Sequence, residues 1–205
     1  MISKIMTTTA LVLGLAGAAS AATIVQNGSF EDGPTPGGGS WWIGEVDYWS
    51  HTAGGVEVQT TGTLPGVTAF DGNRYVELDG NNNYSLWQDV VLSVGAYVLS
   101  FAYQPREADA NTNIVDYSLG SLVVGSVTGS SSSLPSGGWT TVTASFNVAT
   151  AGTYTLQFVG AGNSESLGGL VDAVSIVPTV PVPAAGLMLV SALGGLAAMR
   201  RRKRA

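Results

Sequence analysis

Between Val56 and Ile176 the chain is a succession of short runs in which large apolar residues alternate with small or polar ones. In the run from Tyr97 to Tyr103, the residues Leu99, Phe101 and Tyr103 fall on one face of an extended segment. Val142, Phe146 and Val148 do the same, as do Tyr154, Leu156 and Phe158. Val56 with Val58, Val76 with Leu78, and Leu86 through Leu92 add further runs. A period of two marks a strand with one buried face. Asp71-Gly72, Asp79-Gly80, Val94-Gly95 and Ala151-Gly152 supply turn chemistry between them. No amphipathic helical stripe occurs from Thr23 to Pro178. The pattern predicts an all-β domain of eight or so antiparallel strands. Each strand has one apolar face to bury, so two packed sheets, a jelly-roll β-sandwich, are expected rather than one. Gly33 to Ser40, and Ser126 to Gly138 with its serine run, are expected to be surface loops.

The two ends break this pattern. Residues 1–22 carry one Lys at position 4, an apolar run from Ala10 to Ala19 and small residues at Ala19-Ser20-Ala21, which is the layout of a secretory signal peptide. At the other end, residues 178–205 place three chemistries back to back. Val180-Pro181-Val182-Pro183-Ala184 is held open, because proline fixes its own φ and biases the preceding residue toward extended geometry. Residues 184–199 are uncharged, about 16 residues or roughly 24 Å of helix, the low end for a membrane span. Arg200, Arg201, Arg202, Lys203 and Arg204 then form a cationic stop that the positive-inside rule holds in the cytoplasm. The domain between, residues 23–177, is expected to lie outside.

This order of parts resembles the PEP-CTERM sorting tails of Gram-negative bacteria, in particular the VPLPA variant, with Val182 in place of the usual leucine. The resemblance implies processing near the proline signature by a membrane exosortase with a Cys-His-Arg active site. It also implies a precursor anchored in the inner membrane and a product at the cell surface or in the extracellular matrix of a biofilm.

Charge and cysteine content narrow the domain further. The chain carries 8 Lys and Arg against 14 Asp and Glu, but only Arg74 and Arg106 lie between the signal and the tail, leaving that domain near −12. Such a domain repels nucleic acid and anionic lipid and admits cations or neutral ligands. With no cysteine, neither disulfides nor thiolate metal sites are available, so stability must come from a core.

Asn27-Gly-Ser-Phe-Glu31, Tyr75-Val-Glu-Leu-Asp79, Gly95 to Tyr103 with Arg106, and Val171-Asp-Ala-Val-Ser-Ile176 together resemble the galactose-binding-like jelly rolls, which include carbohydrate-binding modules. The resemblance implies a structural Ca2+ held by a first-strand glutamate and a last-strand aspartate, here Glu31 and Asp172, although Ala173 stands where a second aspartate is usual. Asp172 is also notable from its own run, since Leu170, Val174 and Ile176 share its face at period two. A carboxylate on a core face needs a cation or several donors to offset desolvation; alternatively the strand bends there and Asp172 caps a turn. Asp79-x-Asn81-x-Asn83 and Asp109-x-Asn111-x-Asn113 begin like calcium loops but lack the later Gly and Glu, and read as turns.

For a ligand, the richest stretch is Trp41, Trp42, Glu45, Asp47, Tyr48 and Trp49, because aromatic rings stack on sugar faces and carboxylates accept hydroxyl hydrogen bonds. Trp41 and Trp42 point to opposite faces if extended, and Trp42 or Trp49 could instead plug the sandwich. Trp87 and Trp139 are expected to pack. Catalysis finds little support: His51 has no nucleophile beside it, and Glu77 and Asp79, though spaced about 7 Å apart on one strand face, are expected in water, where nothing raises an acid's pKa. The sequence therefore predicts an exported, non-enzymatic protein that binds polysaccharide, or else a structural envelope or matrix protein without a small ligand.

Overall fold

A computed structural model describes residues 23–34, 37–130 and 138–179; the signal segment, the proline signature at 180–184, the apolar run and the Arg200 to Arg204 cluster lie outside the described residues. Among the described residues all of the regular elements are strands: β1 Trp41–Gly44, β2 Ser50–His51, β3 Val56–Thr60, β4 Arg74–Glu77, β5 Ser85–Leu92, β6 Gly95–Gln104, β7 Ile114–Leu119, β8 Val123–Val127, β9 Thr140–Val148, β10 Gly152–Ala161 and β11 Leu170–Pro178. They form a six-stranded sheet in the order β1-β3-β4-β11-β6-β9 and a five-stranded sheet in the order β2-β5-β10-β7-β8. Every pairing is antiparallel. Among the described residues no helix is long and apolar enough to cross a membrane.

The expected sandwich is therefore the observed one, and the alternation builds its core. Val58, Val76, Val171, Leu99 and Phe101 of the larger sheet meet Leu86, Val115, Leu119, Leu156 and Phe158 of the smaller one in a single buried cluster. Phe101 sets its ring edge-on against Phe158 at 5.0 Å and against Tyr117 at 5.0 Å, an arrangement the ring quadrupoles favour. The sequence runs did not anticipate β7 and β8, where Val115 and Leu119 are the buried residues of a short strand.

The outer face of the six-stranded sheet is not bare. Leu64 and Val67, from the connection between β3 and β4, pack over Tyr75 and Leu170 in a second apolar cluster, with Trp139 leaning on Tyr75 at 5.7 Å. This cover turns what would be a solvent face into the wall of a site.

Along β11 the expectation of one unbroken period fails. The register shifts between Asp172 and Ser175, and Ala173 takes a φ of 50°, so the inward-facing positions change from odd-numbered to even-numbered across the bulge. Leu170 belongs to the outer cluster, whereas Val171, Val174 and Ile176 belong to the inner core. Asp172 thus does not share a face with Val174 and Ile176.

Candidate functional site

The strand pairing places Trp41 opposite Gln59, and Glu57 opposite Glu77. Since Val56, Val58 and Val76 point into the core, Glu57, Gln59, Tyr75 and Glu77 point to the covered outer face. There Glu57 and Gln59 reach a cavity of about 410 Å³ walled also by Trp41, Asn81, Arg106 and Ser166, with Tyr75 and Glu77 buried beneath it. Trp41 stands at its rim, 57% exposed.

The floor is a hydrogen-bonded chain of charges. Gln59 Nε2 donates to Glu57 Oε1 at 2.7 Å and to Glu77 Oε2 at 2.5 Å. Arg106 Nη1 reaches both oxygens of Glu77 at 2.5 Å, and Gly168 N donates to Glu77 Oε1 at 2.7 Å. Asn113 sets the loop that carries the arginine: its Oδ1 accepts from the backbone N–H groups of Arg106 and Glu107, and its Nδ2 donates to Glu107, Asp109 and Gly129 carbonyls. Gly80 lets the wall come close, because a Cβ there would lie 2.6 Å from Glu57 Oε2.

Burial dominates the electrostatics of this floor. It pushes Glu77 up to about 8 although Arg106 pulls the other way, with Glu57 adding to the rise. Glu57 is also raised, again chiefly by burial, with Gln59 and Arg106 opposing. The expectation that Glu77 and Asp79 stand in water is corrected: both are buried, at 0% and 1% exposure. The reason is tertiary, since the connection before β11 folds over them. Gly168 caps Glu77, while Glu165 N and Ser164 Oγ hydrogen-bond to Asp79 at 2.8 and 3.3 Å.

The stretch from Trp41 to Trp49 is divided by the fold. Of its six candidate residues, Trp41 lines the cavity, while Trp42 is half-buried and packs against the core. Trp49 is buried, its ring 5.6 Å from Phe30 and its Nε1 donating to Asn27 O at 3.0 Å. Glu45, Asp47 and Tyr48 are exposed in the turn between β1 and β2, Tyr48 with a φ of 70°. His51 is half-buried in β2, its Nδ1 2.8 Å from Thr52 O. Sequence reasoning did not single out Glu57, Gln59 or Ser166, and it read Asn81 as part of a turn. The one signal was Arg106, one of two basic residues in the domain, which had to find a carboxylate.

Glu31 and Asp172 are brought to one turn. Glu31 Oε1 accepts from Asn73 N and Arg74 N at 2.6 Å each; Asp172 Oδ2 accepts from Phe70 N at 2.7 Å and Asp71 N at 3.0 Å, and its Oδ1 from Ala173 N at 2.6 Å. Gly72, at the apex, has a φ of +71° and lies so close to Glu31 that a Cβ would stand 2.5 Å from Oε1. Even with three N–H donors, burial holds Asp172 at about 7.

The fold and the walled cavity together define a jelly-roll β-sandwich with a recessed polar site on one sheet. No family model and no curated protein sequence matches the chain. Solved structures do match its fold. One is a family 61 carbohydrate-binding module in complex with β-1,4-galactotriose, at 18% identity and a TM-score of 0.50, covering 78% of this chain and 100% of that one. Another is an arabinose-bound α-L-arabinofuranosidase, at 12% identity and a TM-score of 0.51, covering 77% of this chain but 26% of that one. A family 35 carbohydrate-binding module from Clostridium thermocellum aligns at 15% identity and a TM-score of 0.45, over 68% of this chain and 99% of that one.

Proposed function

We propose that the domain is a glycan-binding module and that its site is the cavity beneath Trp41. The observation that carries this reading is a flat indole, 57% exposed, beside a recess of about 410 Å³ whose floor is polar. An aromatic face takes the C–H face of a sugar ring, and converging amide, carboxylate and guanidinium groups take its hydroxyls. Fold likeness to a carbohydrate-binding module supports the reading as analogy. Binding without turnover fits the same geometry, because Glu77 is sealed behind Arg106, Gln59 and Gly168 and has no face left for a substrate. A glycan array probed with the purified protein tests the proposal: binding to a defined set of oligosaccharides is expected, and loss in Trp41→Ala. An array on which nothing binds would leave the purely structural role in the matrix.

Two companion proposals rest on the sequence. The chain is exported across the inner membrane of a Gram-negative cell, held by its C-terminal segment, and released to the surface by an exosortase acting at the proline signature. The turn at Asp71-Gly72 takes a structural Ca2+ through Glu31 and Asp172. The support for the ion is that Glu31 Oε2 accepts no hydrogen bond among the described residues, and that Asp172 remains poorly compensated by its N–H donors. A divalent cation supplies the missing charge there.

A further inference from the structure

Beneath Trp41 the cavity wall holds a carboxylate, Glu57, that is short of donors. Gln59 is fully buried, and its Nε2 is committed to Glu57 and Glu77, which fixes the amide and leaves Oε1 without a hydrogen-bond partner among the described residues. Glu57, 7% exposed, receives among the described residues only that one Gln59 bond, on Oε1. Its Oε2 faces the Gly80 side of the wall. Arg106 gives Glu57 no hydrogen bond among the described residues: its Nη1 is spent on both oxygens of Glu77, and its Nε is buried without a partner. The charged groups around Glu57 are thus Glu77, Asp79 and Arg106, three carboxylates in all against a single guanidinium, with the Tyr75 hydroxyl beside them.

A ligand that completes this wall must bring several donors at one point and, preferably, positive charge. A sugar hydroxyl has one proton to give, whereas an ammonium has three. Trp41 adds to the preference, since an indole face attracts a cation that approaches it. A carboxylated or sulfated sugar would meet like charge instead. Resting on the glycan-binding reading above, we propose that this cavity selects amino sugars, seating the ammonium of a 2-amino-2-deoxyhexose at Glu57 Oε2 under the Trp41 ring. Burial of Glu57 has a cost in the free protein that such a ligand offsets, and the acidic surface of the domain draws a polycationic chain toward it.

The test compares two ligands that differ only at nitrogen: fully deacetylated and fully N-acetylated chitin oligomers of equal length, titrated calorimetrically at mildly acidic pH and moderate salt. The amine form should bind at least about tenfold tighter, the worth of one charge-assisted hydrogen bond. Glu57→Gln should abolish that preference, and Asp116→Asn, on the opposite sheet, should keep it. Equal affinity for the two oligomers, or a preference that survives in a folded Glu57→Gln, overturns the inference while sparing glycan binding. Oligolysine binding that depends on Glu57 without binding of the amino sugar also overturns it, by assigning the site to a basic peptide. If no oligosaccharide binds at all, this inference and the broader reading fall together. The wild-type comparison decides the matter even if Glu57→Gln does not fold.

Discussion

Glu57 and Glu77 face each other across the β3–β4 ladder and share one donor, the Nε2 of Gln59. Two buried acids on a common amide cannot both be comfortable as anions, and Arg106 favours the charged form of Glu77 alone, against the larger effect of burial. Arg106→Ala should therefore destabilise the domain by about 3 kcal/mol, the usual result of stripping one partner from a buried pair. Urea melts above about pH 8, where Glu77 is ionised beside Arg106, would show it. Arg106→Ala combined with Glu77→Gln should recover part of the loss, and an uncoupled pair of effects would contradict the assignment.

The tryptophans divide by role. Trp41→Ala should leave the melting temperature nearly unchanged and weaken oligosaccharide binding by about 2 kcal/mol, the scale of a central aromatic contact. Trp49→Ala should instead cost about 3–5 kcal/mol of stability, since it empties a space between Phe30 and Phe158. Parallel denaturation and binding curves separate the two; the reverse assignment of effects would place the site elsewhere.

Stability should fall as the pH rises. Asp172, at about 7, and Glu77, at about 8, keep protons in the folded protein that the unfolded chain, titrating near its ordinary carboxylate values, has already released. Below those ordinary values both states are protonated and the contribution is complete. Above them each group removes up to about 1.4 kcal/mol per pH unit until its folded pKa is passed. Melting temperatures measured in chelator should decline between mildly acidic pH and about pH 8. Asp172→Asn should flatten the lower part of that decline, and a profile that rises over this range would show the carboxylates to be better compensated than the geometry implies.

Calcium should act on the same carboxylate. With the ion in place Asp172 stays ionised, so added calcium should raise the melting temperature by mass action and remove the Asp172 share of the pH slope. Glu31→Gln should blunt both responses. A melt indifferent to calcium and chelator would leave the turn held by N–H donors alone.

How much of this could be read from the chain depends on whether a residue's surroundings are local. The strands around Leu99 and Phe101, or Leu156 and Phe158, announce themselves because alternation is written in consecutive positions. Glu57 and Gln59 alternate just as regularly with Val56 and Val58, and so look like a wet face. They are dry because Leu64, Arg106 and the segment at 164–168 arrive from elsewhere in the chain. Asp172 was legible as a strained carboxylate, but not its direction, since Ala173 is not a residue whose type announces a positive φ. In the 41–49 stretch, composition marked the aromatic residues, and only the pairing of β1 with β3 decided which of them reaches the cavity.

Processing offers a prediction independent of the ligand. Mass spectrometry of the protein released from cells should find its C-terminus near Pro183. Replacement of Arg200 to Arg204 by neutral residues should reduce retention of the precursor in the membrane fraction. Mature extracellular protein that still carries Arg200 would exclude cleavage at the proline signature.

β11 also sets which way the domain looks. Its first residue, Leu170, pairs with Glu77 at the cavity, and its last, Pro178, pairs with Tyr97 at the far end of the sheet, where Ile24 N also bonds to Ile176 O at 2.9 Å. The incoming and outgoing chain therefore share one pole of the sandwich, and the recess under Trp41 lies toward the other, roughly 25 Å away along eight strand steps. Whatever holds this domain by its chain ends holds it at one end of the sheet, leaving the recess near the end farther from the point of attachment.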